Sequence, residues 1–321
     1  MTGDLVLDAP ESAALAPELA RAAHYASQSR AASTRRAYTS DLRTFAAWCS
    51  PRGLSPMPAS PATLAAYIAS LADAGRSVST IERALAAISQ AHRIKGFESP
   101  TMDQIVRATM AGIRRTLGTA QHGKAPLLIE HLRAAVNSLP GTLAGTRDRA
   151  ILLLGWAGAF RRSEVVALDV KHLRFESDGL VVDLERSKTD QEGEGRPVPV
   201  PFGAHLETCP VRSVRAWLEA SGIRSGPVFR AVDRRGRLGK RRLCDRTVAL
   251  VVKAAAERAG LDPRLFAGHS LRAGLVTQAA LSGKAERDIM KQTGHRSVAQ
   301  LRKYIRAAEL FESNAARGIG L

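Results

Sequence analysis

The chain has 321 residues, 45% of them hydrophobic, and its 47 lysines and arginines outnumber 30 aspartates and glutamates for a formal charge of +17. That length supports two domains with cores of their own, and that composition excludes a disordered chain. So large a positive excess calls for a polyanionic partner. Because no apolar run approaches the roughly 18 residues of a spanning helix, nucleic acid is favoured over membrane lipid.

Residues 1–30 are rich in alanine, contain Pro10 and Pro17, and set Asp4, Asp8, Glu11 and Glu18 against only Arg21 and Arg30. They are expected to form a flexible acidic tail or a loosely docked helix, not a DNA-binding arm. No basic start followed by an apolar core is seen there, so no secretory signal is expected. Cys49, Cys209 and Cys244 are too scattered for a disulfide framework or a zinc site, which points to a reducing, cytoplasmic compartment.

Residues 31–117 read as four helices. The first carries Tyr38, Leu42, Phe45, Ala46 and Cys49 at helical spacing, is capped by Ser33 or Thr34 and stops at Pro51. The second starts at Ser60-Pro61, buries Leu64, Ile68 and Leu71, and ends at Gly75. The third runs from about Ser79 to Gly96, and the fourth carries Ile105, Val106, Met110, Ile113 and Leu117. Four short helices make a small bundle. Arginines recur on its outer faces (Arg35, Arg36, Arg43, Arg76, Arg83, Arg93, Arg107, Arg114 and Arg115), either as the surface of a generic helical adaptor or, as we prefer, as a DNA-clamping surface. Residues 118–126 have no helical period and break at Pro126, so they are expected to link two domains that close on DNA from opposite sides.

The second domain, 127–321, opens with a helix near Ile129–Ser138 and a very apolar one from Arg147 to Ala159, expected to be its buried centre. Phe160-Arg161-Arg162-Ser163-Glu164 follows. Two strands, Gly179–Leu184 and Arg196–Val200, flank a polar turn holding Lys188, with Lys171 further away. The basic run Arg230–Arg242, with Arg234, Arg235, Arg237, Lys240, Arg241 and Arg242, reads either as a disordered loop or as a phosphate-contacting segment, the latter preferred. A helix capped by Asp245 then leads to His269-Ser-Leu-Arg272, Gly294-His295 and Tyr304.

His269 and Arg272 share one helical face. Histidine moves protons near neutrality, arginine offers a fork matched to phosphate oxygens, and tyrosine supplies a hydroxyl nucleophile once a base takes its proton. These are the parts of a metal-free phosphoryl-transfer site, and no carboxylate cluster is spaced to hold two metal ions.

The ordered set His-x-x-Arg, Gly-His and a tyrosine nine residues later resembles the tyrosine recombinase (phage integrase) family. Arg161-Arg-Ser-Glu164 resembles its first arginine motif, in a register that favours Arg161 over Arg162. Ser33-Thr-Arg-Arg-Ala-Tyr38 with Asp41-Leu-x-x-Phe-x-x-Trp48-Cys49 is similar to the core-binding domain of its simple two-domain, Cre-like or Xer-like type. The resemblance implies a mainly α fold: a four-helix, SAM-like N-terminal domain and an α+β catalytic domain with a small antiparallel sheet. It implies a site-specific recombinase that cuts and rejoins DNA through a 3′-phosphotyrosyl intermediate, without metal, cofactor or ATP. Arg161, Lys188, His269, Arg272, His295 and Tyr304 would be catalytic. Arg161 and Arg272 would hold the nonbridging oxygens with His295 donating another hydrogen bond, His269 would take the Tyr304 proton, and Lys188 would protonate the leaving oxygen. Glu164 would orient the site or simply pair with a neighbouring arginine. The partners implied are double-stranded DNA with inverted-repeat sites and, on it, a homotetramer whose C-terminal helix (Ile305–Ala316) docks into a neighbour or closes as a lid in cis. A type IB topoisomerase and a non-catalytic DNA-binding relative are the alternatives.

Overall fold

The computed structural model describes residues 15–28, 30–119, 123–185, 195–295, 297–299, 301–302 and 304. The first fourteen residues, the middle of the expected linker, Lys188 with its turn and the expected C-terminal helix lie outside these. The chain divides into two compact units, 1–122 and 123–321.

The first unit contains α1 (Ala16–Gln28), α2 (Ala32–Cys49), α3 (Pro61–Asp73), α4 (Val78–Ile94) and α5 (Gln104–Leu117). Its starts follow local chemistry. The Ser60 hydroxyl accepts the Thr63 amide at 3.1 Å ahead of Pro61, and the Asp103 carboxylate accepts the Ile105 amide at 2.8 Å. Phe45, Leu64, Tyr67, Ile68, Ile81, Ile88, Val106 and Met110 share one core, within which the Phe45 and Tyr67 rings lie 4.8 Å apart. Asp41 on α2 accepts a forked pair from Arg83 on α4, at 2.8 and 3.0 Å.

A buried histidine ties this unit together. His92 donates from Nδ1 to the Ile88 carbonyl at 2.8 Å, since a carbonyl can only accept, and takes the Ala59 amide on Nε2 at 2.9 Å.

The second unit contains α6 (Ile129–Asn137), α7 (Leu143–Ala157), α8 (Arg162–Ala167), β1 (Leu173–Phe175), β2 (Gly179–Leu184), β3 (Arg196–Pro201), α9 (Pro210–Ser221), β4 (Arg230–Val232), β5 (Leu238–Arg242), α10 (Asp245–Arg258), α11 (His269–Leu281) and α12 (Glu286–Thr293). Helix α7 buries every residue from Ala150 to Gly155, the stretch over which it is apolar all round. The first three strands form one antiparallel sheet, with Val182 opposite both Leu173 and Val198. Alternate residues Leu180, Val182, Val198 and Val200 join the core, as period-two patterning requires.

Several features depart from the sequence reading. Helix α2 starts at Ala32 with Ala31 at its cap and no capping side chain, so Ser33 and Thr34 lie inside it, and β1 was not anticipated. Thr142 caps α7, accepting the Gly145 amide at 3.2 Å, so the helix begins a turn before Arg147. Helix α9 was not anticipated, although Val211, Val214, Trp217 and Leu218 carry a helical spacing and are buried. The basic run is a hairpin, β4 paired with β5, and Asp245 is the first residue of α10 while Cys244 occupies the cap. The Asp245 carboxylate pairs with Arg162 at 3.1 Å instead of capping.

One close approach sets the depth of α11. A Cβ on Gly274 would lie 2.1 Å from the Leu127 carbonyl oxygen and 2.7 Å from the Trp156 indole nitrogen, which itself donates to that carbonyl at 2.9 Å. Only glycine lets the helix sit this close. No helix among the described residues is long and apolar enough to cross a membrane.

His92→Ala removes ring volume from the first core and strands the Ala59 amide, at a cost of about 2–4 kcal/mol. Hydrogen exchange on the intact chain is expected to lose protection around residue 59 and along α4, with the second unit unchanged.

Candidate active site

The site is assembled on α11. The Ser270 hydroxyl accepts the Ala267 amide at 3.0 Å, which turns the chain so that His269 opens the helix at the surface and Arg272, one turn on, points inward. Arg272 is 2% exposed. Its Nη1 donates to the Ala159 carbonyl at 2.8 Å, and its buried Nη2 has no hydrogen-bond partner among the described residues. Ala159 adopts a left-handed φ of 50° to offer that carbonyl, a conformation costing alanine about 1–2 kcal/mol. Burial, reinforced by Arg161 and then by Arg196, holds the Arg272 pKa down to about 10, so the group stays charged at neutrality.

Arg161 immediately precedes α8. Glu164, 4% exposed, accepts the Arg161 backbone amide at 2.8 Å and its Nη1 at 2.7 Å. Both carboxylate oxygens therefore serve Arg161, which orients this guanidinium toward the site. Arg162, paired with Asp245, packs its stem on Gly268.

Arg196, the first residue of β3, is a third guanidinium that sequence reasoning did not single out. Its Nη1 donates to the Lys291 and Gln292 carbonyls, both at 3.2 Å, at the C-terminal end of α12. Burial lowers its pKa and Arg161 adds to the effect, while Glu164 opposes it. Alternation within the strand was the only signal in the sequence, and it speaks to the sheet rather than to the site.

Helix α12 ends on Gly294 at φ 66°, where a Cβ would come 2.8 Å from Arg196 Nε. This left-handed turn presents His295, whose Nδ1 lies 2.8 Å from the Thr293 hydroxyl. Burial, with Arg272, Arg161, His269 and Arg196 adding to it, pushes the His295 pKa down to about 4, so the ring is neutral at pH 7.

Tyr304 closes the group. Its hydroxyl lies 2.5 Å from His269 Nε2, and its ring centroid is 6.3 Å from that of His295. The ring packs against the cluster of Val276, Ala280, Ile289 and Leu301. Burial raises the phenol pKa while Arg272 and Arg161 pull it back, so a neutral phenol faces a proton acceptor.

The structure thus brings Arg161, Glu164, His269, Arg272, His295 and Tyr304 together. The candidate DNA-contact arginines are spread over both units. Arg35, Arg36 and Arg43 line one shallow depression on α2 with Thr39 and Ser40. Arg76, Arg107 and Arg115 are exposed, whereas Arg83 is engaged by Asp41 and Arg114 by Glu82 at 2.8 Å. On the β4–β5 hairpin, Arg234, Arg235, Lys240 and Arg241 are exposed, and Arg237 pairs with Asp233 at 2.7 Å. Arg242 is held by Asp169 and by the Val166 and Leu168 carbonyls, so it braces the hairpin against the domain. Among the described residues no group of three or more His, Cys, Asp or Glu is placed to hold a metal ion.

Known proteins resemble this chain over most of its length. The profile of the phage integrase family matches residues 127–310, and that of the phage integrase N-terminal SAM-like domain matches residues 23–95. An integrase/recombinase xerD homolog of Selenomonas ruminantium is 41% identical over 90% of this chain and 85% of its own. Recombinase cre of Escherichia phage P1 is 24% identical over 82% of this chain and 81% of its own. In fold, the chain is similar to lambda integrase, solved as a dimer bound to a COC′ core site, with a TM-score of 0.59 and 18% identity over 88% of this chain and 73% of that one.

Glu164 is the buried carboxylate that accepts from Arg161, beside the Arg272 and Arg196 guanidiniums. Glu164→Gln is expected to destabilise the second unit by about 3 kcal/mol, the scale for breaking a buried ion pair. Sulfate is expected to restore part of the melting temperature, where chloride at matched ionic strength does not. A variant as stable as its parent would show that this carboxylate does not hold the cluster together.

Proposed function

The chain belongs to the phage integrase family and is a site-specific tyrosine recombinase; from that premise we propose how its residues divide the work. Tyr304 attacks a DNA phosphodiester, its proton passing to His269 Nε2, and a phosphotyrosyl ester to the 3′ side forms as the bond to the 5′ oxygen breaks. The leaving oxygen takes a proton from Lys188. A 5′ hydroxyl from another strand then reverses the step, and since the ester keeps the energy of the broken bond, no ATP is consumed.

The observation that carries this reading is the contact of 2.5 Å between the Tyr304 hydroxyl and His269, beside two guanidiniums, with one Arg272 nitrogen unbonded among the described residues. A free phenol ionises near pH 10, so the base is needed at neutrality. In the transition state negative charge gathers on the nonbridging oxygens. Arg161 and Arg272 meet it with preorganised forks, each worth about 3 kcal/mol in the barrier.

Strand exchange requires two sites and two strands at each. The substrate we propose is double-stranded DNA with inverted repeats, held by four copies of the chain. The apolar stripe Ile305, Ala308, Leu310, Phe311 and Ala315 is too narrow to build a core and suits docking on a neighbouring copy. The three free cysteines fit a reducing cytoplasm.

Tyr304→Phe keeps the ring and removes the nucleophile. With DNA carrying two sites, this variant is expected to bind and to sediment as four copies, yet to form no covalent adduct in denaturing gels. An adduct formed by Tyr304→Phe would overturn the assignment of the nucleophile, and a complex of fewer copies the assembly.

A further inference from the structure

Thr293 is the last residue of α12 and is wholly buried. Its Oγ1 lies 2.7 Å from the Ile289 carbonyl oxygen, 3.4 Å from that of Met290 and 2.8 Å from His295 Nδ1. A hydroxyl has one proton to give, and a carbonyl can only accept. At 2.7 Å that proton must lie between Oγ1 and the Ile289 oxygen. What Oγ1 turns to His295 is then a lone pair, and Nδ1 must carry the hydrogen of that bond. A neutral imidazole holds one ring proton, so Nε2 is left bare.

We infer that Thr293 is a positioning residue that locks His295 in the Nδ1–H tautomer, so that without DNA the ring offers an acceptor where the reaction needs a donor, and the charge of a bound scissile phosphate draws a proton from solvent onto Nε2. The second half of this inference rests on the recombinase reading, while the first does not.

The surroundings of His295 supply the physical reason. Arg272 and His269 act on it from α11, Arg161 from the start of α8, and Arg196 from β3. Tyr304 is a neutral phenol beside it, and Glu164, the carboxylate of the cluster, is engaged by Arg161. Desolvation and positive neighbours therefore disfavour the imidazolium while no anion is bound. A phosphodiester brings a negative charge into the same space and reverses the balance. The ring then takes up a proton at Nε2, keeps Nδ1–H on Thr293, and donates to a nonbridging oxygen. Hydrogen-bond donation by His295 becomes conditional on DNA.

The tautomer is read directly by nitrogen NMR of the full chain labelled with 15N-histidine, with His295 assigned by comparison with His295→Gln. In the free protein at pH 7 we expect a protonated Nδ1 and a bare Nε2; a protonated Nε2 would overturn the lock whether or not the protein cuts DNA. With a duplex site bound to Tyr304→Phe, both nitrogens are expected to be protonated. A ring that stays neutral there would overturn the coupling. The reaction gives a second readout. Thr293→Ser keeps the hydroxyl and should keep the parent's pH profile, in which adduct formation falls as pH rises through the His295 pKa of the complex. Thr293→Val frees the ring to donate from a neutral Nε2–H, so that alkaline fall should vanish. A Val variant that binds DNA normally and keeps the parent's profile would overturn the role of Thr293. An expected tautomer with no adduct at any pH would count against the recombinase mechanism, not against the lock.

Discussion

A buried guanidinium with an unused hydrogen-bond donor is the feature on which the rest of this domain depends. Arg272 is removed from water, yet one of its nitrogens bonds to nothing among the described residues. An unpaired buried charge is among the costliest things a fold can hold. Here it lies near Arg161 and Arg196, and the nearby carboxylate, Glu164, already accepts twice from Arg161. The cluster is short of negative charge. A phosphodiester supplies it, so the unmet positive charge of the cluster becomes affinity for the reacting group.

Much of the surrounding architecture keeps that guanidinium in place. Gly274 lets α11 come within contact of the Leu127 backbone, and Ala159 takes a left-handed conformation to offer Arg272 its carbonyl. Arg196 fastens the end of α12 to β3, which fixes the left-handed turn at Gly294 and with it His295. Tyr304 reaches its place by packing on α11 and α12 through Val276, Ala280 and Ile289. Nucleophile, base and Arg272 thus rest on the same two helices, with Arg161 supplied from the start of α8 and Arg196 from β3. The depressed pKa of His295 and the raised pKa of Tyr304 share one leading cause, desolvation.

How legible this was in the sequence varies with the physics involved. The helices of the first unit announce themselves through Ser60-Pro61 and the apolar spacing around Leu64, Ile68 and Ile81, because caps and periodicity are local signals. His269-x-x-Arg272 is legible for the same reason, since three residues span one turn. Arg196 was not, because its role comes from the carbonyls of residues 291 and 292, almost a hundred positions away, which no local pattern encodes. Thr293 carries no local signal, because its role comes from the placement of its hydroxyl between the Ile289 carbonyl and His295. The hairpin at Arg230–Arg242 was hidden by its own charge: a run of arginines reads as a loop or as a phosphate-contacting segment, and the anchoring of Arg242 on Asp169 and two carbonyls, which no local pattern encodes, shows why it folds back.

If the guanidiniums answer the charge of the reacting phosphate, removing that charge from the DNA should remove the need for them. A methyl group in place of one nonbridging oxygen at the scissile position leaves the leaving oxygen and the nucleophile unchanged. Arg272→Ala, inert on the ordinary linkage, is expected to form the Tyr304 adduct on the neutral one at a rate close to that of the parent on the same DNA. An Arg272→Ala protein that binds DNA normally and is as inert on the neutral linkage as on the charged one would contradict it.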